Sequence, residues 1–249
     1  MQINSHLSRL IYDVADHWGD REALIYKDYG RGNTQWHSMS WRQFLDQVKL
    51  VSNAMLNMGV GVQENLGVFS QNSIHYLFTD FGAWGIRAAT IPFYATSSEQ
   101  QIQYIVNNAR IRFLFVGEQE QFEKARRIFA TCQSLEKIIV FDPAVVIADG
   151  DTTAMHFADF LRLGEGLPRQ SEVETLQQAA KMEDTANILY TSGTTGDSKG
   201  VILTMGQYYA AFEANGKCVP VTEDDRILNF LPFTHVFEKG WKILCITVG

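Results

Sequence analysis

The chain has 249 residues, of which 46% are apolar and 20% are charged, and this can build one large hydrophobic core or two smaller ones. Such a composition excludes a disordered tail and a small disulfide scaffold. Lysine and arginine number 21 against 28 aspartates and glutamates, giving a formal net charge of -7. A broad nucleic-acid-binding surface is therefore excluded, and any bound phosphate must be held by a local site.

Cysteine usage and hydropathy favour a soluble cytoplasmic protein. The cysteines are odd in number and have no CxxC spacing, which is typical of a reducing compartment and disfavours a disulfide framework and a zinc site. They are Cys132, Cys218 and Cys245. The N-terminus lacks a signal-peptide pattern, and no apolar run approaches the roughly 18 residues that span a bilayer. The six histidines have no metal-ligand spacing, so we expect no protein metal site.

Predicted helices alternate with short apolar strands in the first part of the chain. Apolar residues at helical spacing follow a capping box of Ser40 and Gln43 and end at Gly59, which predicts a helix. The predicted strands, apolar on both faces, are Leu66–Phe69, Ala88–Ile91, Phe113–Val116 and Ile138–Phe141. The helices predicted between them are Ser73–Trp84, Ser98–Asn108 and Gln119–Ser134. This alternation predicts an α/β fold with a doubly wound sheet of right-handed βαβ units.

Residues 142–182 interrupt the alternation with prolines and glycines, and helical spacing recurs there only around His156–Leu163. Beyond them the chain predicts a strand at Ala186–Thr191, a strand at Val201–Thr204 and a helix at about Gly206–Asn215. We therefore predict a first α/β subdomain with its connector at residues 1–182. Residues 183–249 are predicted to begin a second, incomplete α/β subdomain.

The final segment, Trp241–Gly249, is almost entirely apolar. It is either a buried C-terminal element or part of a larger domain inside which the sequence stops. The second interpretation is favoured, because a lone apolar element would have little to pack against.

The segment Asp184–Thr204 carries the strongest chemical signal, since a buried strand runs into a loop of glycines, hydroxyl side chains and one lysine. Glycines allow positive φ and a close approach of backbone N–H groups to an anion, while hydroxyls and a lysine add donors and charge. The candidate ligands of a polyphosphate are Thr191, Ser192, Gly193, Thr194, Thr195, Gly196 and Lys199. A plain turn between two strands is the alternative, but it does not explain so many donors in succession.

Two familiar nucleotide motifs are excluded by spacing. A Walker loop needs Gly-Lys-Ser/Thr, whereas here Ser198 precedes Lys199 and Gly200 follows it. A Rossmann fingerprint needs a third glycine after a strand, whereas the pair Gly59 and Gly61 follows a helix.

The segment Tyr190–Gly200, YTSGTTGDSKG, resembles the phosphate loop YTSGTTGxPKG of the adenylate-forming superfamily, which includes acyl-CoA synthetases, luciferases and peptide-synthetase adenylation domains. It departs from that pattern at Ser198, where proline is usual. Phe230–Trp241, FLPFTHVFEKGW, is similar to the LPxxHVFE segment of long-chain fatty acyl-CoA synthetases. Upstream, the segments that begin at Asn72 and Thr90 also resemble the family, so the likeness covers nearly the whole chain.

The resemblance implies that a fatty acid reacts with Mg²⁺-ATP to give acyl-AMP, from which CoA then displaces AMP. It implies ATP, CoA and a fatty acid as substrates, with Mg²⁺ as cofactor. The family's later motifs, including YGxTE, the ribose-binding aspartate and the C-terminal lysine, have no counterpart here. The chain thus resembles the N-terminal part of such an enzyme, the catalytic residue is unknown, and we expect the isolated fragment to be inactive.

His235 is predicted to shape the nucleotide and acyl pocket, because the matching family histidine lies there; the alternative is a packed core residue. Glu238 and Trp241 are interpreted as helix-face residues. Several aromatic residues offer walls for an acyl tunnel, but core packing explains them more simply. They are Phe78, Phe81, Trp84, Phe93 and Tyr94.

Three classes of function stay open on the sequence. The first is a long-chain fatty acid–CoA ligase. The second is an adenylating enzyme that delivers its acyl group to a carrier protein, and the third is a non-catalytic nucleotide-binding module, if the natural protein ends at residue 249. A cytoplasmic location is expected. Peripheral contact at the inner membrane face is left open, although no basic amphipathic helix supports it.

Overall fold

The structure is a computed structural model that describes residues 5–27, 35–166, 168–191 and 198–249. Its α-helices are α1 (Leu10–Trp18), α2 (Trp41–Asn57), α3 (Ile74–Gly85), α4 (Glu99–Asn108), α5 (Gln119–Ile128), α6 (Phe157–Gly166), α7 (Gln170–Gln178), α8 (Met205–Gly216) and α9 (Val236–Ile246). Its strands are β1 (Glu22–Tyr26), β2 (His37–Ser40), β3 (Asn65–Phe69), β4 (Ala89–Phe93), β5 (Phe113–Val116), β6 (Lys137–Val140), β7 (Ala154–His156), β8 (Thr185–Thr191) and β9 (Lys199–Thr204).

One seven-stranded sheet organises the described part of the chain, with strand order β7-β6-β5-β3-β4-β8-β9. Neighbouring strands run parallel except for β8 and β9, which are antiparallel. Strands β1 and β2 form an antiparallel pair of their own. This parallel-dominated sheet confirms the predicted α/β class.

Both faces of the sheet are covered at strands β3 to β6. Side chains alternate along β5, so that Phe113 and Phe115 join one core cluster while Leu114 and Val116 join the other. Residues of α1, α2, α3 and α6 contribute to the first cluster, and residues of α4 and α5 contribute to the second. Burial on both faces explains why these strands are continuous apolar runs, as the sequence indicated for a doubly wound sheet.

Most predicted elements of the first part are confirmed. The four predicted strands match β3 to β6 within two residues at either end. The capping box of Ser40 and Gln43 forms both of its hydrogen bonds at the start of α2, and Gly59 lies just beyond that helix with φ of 76°. The helix predicted to continue to Ser134 is too long. It ends at Ile128, and a 3₁₀ turn at Phe129–Thr131 redirects the chain toward β6.

The interrupting stretch adds to the same layers. Strand β7 pairs in parallel with β6, and α6 packs on α2. The predicted helix around His156–Leu163 corresponds to α6, whereas β7 and α7 were not predicted. Strands β8 and β9 extend the sheet beside β4, through the pair Thr90 and Asn187. The division of the chain at residue 182 stays a prediction.

All three cysteines are free thiols. Across the described ranges, none of the helices combines the length and apolar character needed to cross a bilayer.

Candidate functional site

Strands β8 and β9 hold the two ends of the predicted phosphate loop. Their antiparallel register pairs Thr191 with Lys199, and the Thr191 hydroxyl donates to the Lys199 carbonyl at 3.5 Å. The Lys199 side chain is exposed at the first position of β9. An exposed ammonium beside a threonine hydroxyl is suited to an anionic phosphate group.

The middle of this loop lies outside the described residues. The candidate ligands that fall there are Ser192, Gly193, Thr194, Thr195 and Gly196. Their role therefore stays a prediction, whereas the strands that hold the loop at both ends are defined.

Packing fixes the base of the loop. The Tyr190 hydroxyl donates to Asn108 Oδ1 at 2.5 Å, and its ring makes an edge contact with Tyr104 at a centroid distance of 6.5 Å. A Cβ on Gly200 would lie 2.8 Å from Ile188 Cγ2 and 3.2 Å from the Tyr190 ring. A glycine is thus required at position 200 because the Ile188 and Tyr190 side chains lie too close for a Cβ. We expected the loop glycines to be needed for positive φ, but Gly200 does not have a positive φ.

His235 is the N-cap of α9. Its Nδ1 accepts a hydrogen bond from the Phe237 amide at 3.3 Å, and its ring is exposed. The segment that precedes His235 is held by Asn72, which lies just after β3. The Asn72 side-chain amide donates to the Leu231 carbonyl at 2.7 Å, and its Oδ1 accepts from the Phe233 amide at 2.9 Å. In the described chain His235 is therefore not packed in the core, and its role at a nucleotide and acyl pocket stays a prediction.

The two candidate segments lie at one edge of the sheet. Strands β3, β4 and β8 are parallel, so their carboxyl ends meet at the same edge. Strands β3 and β8 both neighbour β4, which separates them by about 10 Å at the usual strand spacing. Asn72 holds the segment before His235 at the end of β3, and the loop begins at the end of β8. This is the edge at which open α/β sheets bind ligands.

A groove of about 370 Å³ runs between α8 and α9. Tyr208 and Phe212 line it from α8, and Val236, Phe237 and Trp241 line it from α9. Trp241 lies parallel to Phe237 with ring centroids 6.4 Å apart. His235 is not part of the lining, although it precedes the first of these α9 residues.

A buried charge cluster joins α9 to α3 and was not predicted from the sequence. Lys239 and Lys242 of α9 both pair with Asp80 of α3. Burial raises the pKa of the Asp80 carboxyl, but the two ammonium groups outweigh it and hold that pKa below its usual value. Glu238 lies on α9, as its interpretation as a helix-face residue implies; it is also buried, and burial raises the pKa of its carboxyl. Helical spacing alone does not reveal which face of α9 is covered.

Four of the five aromatic residues considered for a tunnel are packed in the core, as the simpler interpretation predicts. Phe78, Phe81, Trp84 and Phe93 are buried in the core clusters, whereas Tyr94 is half exposed. Within the described ranges, no group of three or more histidine, cysteine or acidic side chains could hold a metal ion.

The fold and the strand–loop–strand unit at its carboxyl edge define an α/β protein with a candidate phosphate site. The model of the AMP-binding enzyme family matches residues 11–249, so the chain belongs to that family. The chain is 29% identical over 238 residues to fatty acyl-CoA synthetase A of Dictyostelium discoideum, covering 93% of this chain and 34% of that protein. A long-chain-fatty-acid–[acyl-carrier-protein] ligase of Arabidopsis thaliana, AEE15, is 25% identical over 94% of this chain and 33% of its own length.

A solved structure supports the same fold. The long-chain-fatty-acid-CoA ligase FadD1 from Archaeoglobus fulgidus superimposes with a TM-score of 0.75 at 22% identity, covering all of this chain and 46% of that one. The curated relatives named above are matched over only about a third of their length. The homologous relationship therefore concerns one part of such a protein.

Proposed function

We propose that the chain is the N-terminal part of a ligase that activates a fatty acid with ATP and transfers the acyl group to CoA. Membership of the AMP-binding enzyme family carries this proposal. The relatives named above, which include a fatty acyl-CoA synthetase, support the substrate class. The position of the loop ends at the carboxyl edge of the sheet supports ATP as the ligand.

The proposed reaction has two displacements. A carboxylate oxygen of the fatty acid bonds to the α-phosphorus of ATP, and the bond from that phosphorus to its bridging oxygen breaks, releasing pyrophosphate. The CoA sulfur then bonds to the acyl carbon, AMP leaves with its electron pair, and the thiol proton passes to solvent. Charge accumulates on pyrophosphate in the first step, so donors that hold the β- and γ-phosphates accelerate it.

The residues at hand fit the first step. Lys199 and Thr191 at the ends of the loop would contact phosphate oxygens, together with the hydroxyls and amides of residues 192–196. Mg²⁺ would arrive with ATP, since we expect no protein metal site of its own. The apolar groove between α8 and α9 supports an acid with an apolar chain, because burying that chain there removes hydrocarbon surface from water.

The test of the loop uses the complete enzyme and fatty-acid-dependent exchange of pyrophosphate into ATP. Lys199→Ala and Thr194→Ala are each expected to lower the exchange rate by about 100-fold or more, as loss of one donor to a developing charge does in comparable sites. Lys217→Ala, which removes an exposed lysine after α8, is the control and is expected to leave the rate unchanged. Unchanged exchange in Lys199→Ala and Thr194→Ala would refute the role of the loop.

A second acceptor is favoured by one relative, the acyl-carrier-protein ligase of Arabidopsis thaliana. Both acceptors share the first step, so exchange does not separate them. The two acceptors are separated by incubating the complete enzyme with ATP and a fatty acid, and then adding either CoA or holo-carrier protein. Thioester on CoA alone supports the proposal, and thioester on the carrier alone replaces it.

The isolated 249-residue chain is expected to form no acyl-AMP, since the family's C-terminal lysine has no counterpart in it. Sequencing the source gene past the codon for Gly249 tests the proposed fragment. A continuing frame with a YGxTE segment supports it, and a stop codon favours a non-catalytic nucleotide-binding module.

We place the protein in the cytoplasm, and sedimentation with anionic vesicles tests peripheral contact at the inner membrane face.

A further inference from the structure

The carboxylate of Asp80 holds two lysines in a fully buried cluster. Lys239 Nζ lies 2.9 Å and Lys242 Nζ lies 3.0 Å from Asp80 Oδ2, and the three side chains are at most 1% exposed. Aromatic rings enclose the ammonium groups: Lys242 Nζ is 3.9 Å from the Phe233 ring centroid, and both lysines are 5.0 Å from that of Tyr76. The cluster is therefore shielded from solvent.

Stability alone does not explain such a cluster. Each buried ion gives up several kcal/mol of hydration, so apolar residues of similar volume are often at least as stabilising. Two ammonium groups facing one carboxylate also repel each other. A buried ion cluster differs from apolar packing in one respect. If one of its helices shifts, a buried charge loses its partner, so other positions of the helices are energetically unfavourable.

Hydrogen bonds extend the cluster across the sheet. The Thr90 hydroxyl of β4 donates to Asp80 Oδ1 at 2.7 Å. The Asn187 side-chain amide of β8 donates to the Thr90 hydroxyl at 2.6 Å, and the Tyr208 hydroxyl of α8 donates to Asn187 Oδ1 at 2.9 Å. The network thus joins α9, α3, β4, β8 and α8 through buried polar groups.

The ends of this network lead to the candidate site. Asn187 lies on β8, four residues before Thr191, where the predicted phosphate loop begins. Lys239 lies one turn after His235, and its backbone amide donates to the His235 carbonyl at 3.0 Å. The same cluster therefore joins β8, at whose end the predicted phosphate loop begins, to the helix that starts at His235.

We propose that Asp80, Lys239 and Lys242 are positioning residues, which set the place of α9 and His235 relative to β8 during adenylate formation. This inference rests on the proposed function. The three side chains act through the elements they hold, since all of them are buried away from the exposed His235 ring.

The test replaces the cluster by apolar residues in the complete enzyme, as Asp80→Leu/Lys239→Met/Lys242→Met. The triple variant is expected to unfold at the same or a higher temperature, while kcat for pyrophosphate exchange falls at least 10-fold. The matched control is Arg87→Met/Asp184→Leu, which removes a partly buried ion pair at the other end of β8, where Arg87 Nε lies 2.7 Å from Asp184 Oδ2. It is expected to keep kcat within twofold. A triple variant that folds and exchanges within twofold of wild type overturns the proposal.

A second variant covers the case in which the triple variant does not fold. Lys242→Met leaves the ion pair of Asp80 and Lys239 intact, so this variant is expected to fold. Its kcat is expected to fall at least threefold with the Michaelis constant for ATP changed less than twofold. An unchanged kcat in folded Lys242→Met overturns the proposal.

A readout without catalysis separates this inference from the proposed function. In NMR spectra of isotope-labelled protein, the imidazole signals of His235 are expected to shift in the cluster variants and to stay in place in the Arg87→Met/Asp184→Leu control. Unmoved His235 signals overturn the positioning role. Shifted signals in an enzyme that shows no exchange with any fatty acid support the positioning role and refute only the proposed activity.

Discussion

His235 combines a structural contact with an exposed ring. Its Nδ1 caps α9 through the Phe237 amide, and such caps contribute about 1 kcal/mol. The rest of the imidazole is exposed, close to the start of the groove between α8 and α9. Substitution by alanine removes both features, so a useful test must separate them.

His235→Ala in the complete enzyme is expected to weaken the apparent affinities for ATP and for the fatty acid. His235→Asn is the matched control for the cap, because asparagine is also a strong N-cap residue. Weaker affinities in both variants, with normal stability in His235→Asn, indicate a pocket role of the imidazole. If His235→Ala leaves both affinities unchanged, His235 is only a helix cap.

Lys239 makes the stability of the protein depend on alkaline pH. Burial lowers the pKa of Lys239 from 10.5 to about 8, although the Asp80 carboxylate opposes this change. In the unfolded chain the lysine keeps its proton up to about 10.5. Between pH 8 and 10.5 the unfolded state therefore binds more protons than the folded state. The contribution of Lys239 to the free energy of unfolding rises with pH in this range, by no more than about 1.4 kcal/mol per pH unit.

Urea unfolding at several pH values between 7 and 10.5 measures this contribution. Burial also lowers the pKa of Lys242, which adds to the rise with the same sign. Lys239→Met is therefore expected to make the rise smaller, whereas Lys217→Met, which changes an exposed lysine, is expected to keep it in full. A rise of equal size in Lys239→Met would show that another group causes the pH dependence.

At the scale of elements, glycine decides how closely α6 crosses α2. A Cβ on Gly164 of α6 would overlap the Leu50 carbonyl oxygen and lie 3.1 Å from the Ala54 amide nitrogen of α2. The obstacle is backbone, which cannot turn aside as a side chain can. The two helices must separate if a larger residue replaces this glycine.

Gly164→Ala is expected to lower the free energy of unfolding by about 2 kcal/mol, as overpacking of a close contact does. Gly240→Ala in α9 is the control, because nothing lies within 4 Å of a Cβ there, and it is expected to raise stability by up to about 1 kcal/mol through helix propensity. Urea unfolding of both variants tests the crossing. Equal effects of the two substitutions would contradict it.

Helices and strands differ in how well they can be predicted from their own sequence. The helix at Ser40 and the strands β3 to β6 were predicted closely, since a capping box or an apolar run of strand length is a local signal. Strand β7 has three residues and carries no such signal. It exists because β6 offers an unpaired edge, which is a property of the assembled sheet.

For the whole molecule, the order of the strands in the large sheet predicts where local unfolding begins. Strand β3 lies at the centre, paired on both sides and buried over most of its length, whereas β9 lies at an edge with four of its six residues exposed. Edge strands with little burial open locally, while central strands open only with the whole core.

Amide hydrogen exchange followed by mass spectrometry is expected to show β9 exchanging first and β3 last among the strands of the large sheet. Helix α2, whose core face is extensively buried, serves as an internal reference for global opening. Amides of β9 that exchange as slowly as those of β3 would contradict this order.

The sequence by itself determined the α/β class, most elements of the first part and the resemblance to adenylate-forming enzymes, because these depend on local patterns such as apolar periodicity, caps and the TSGTTG loop. Only the tertiary structure brought Asp80 together with Lys239 and Lys242, which are about 160 residues away along the chain. It also exposed His235 and buried Glu238. Burial and charge pairing depend on which faces meet, and chain order does not encode that in any local pattern.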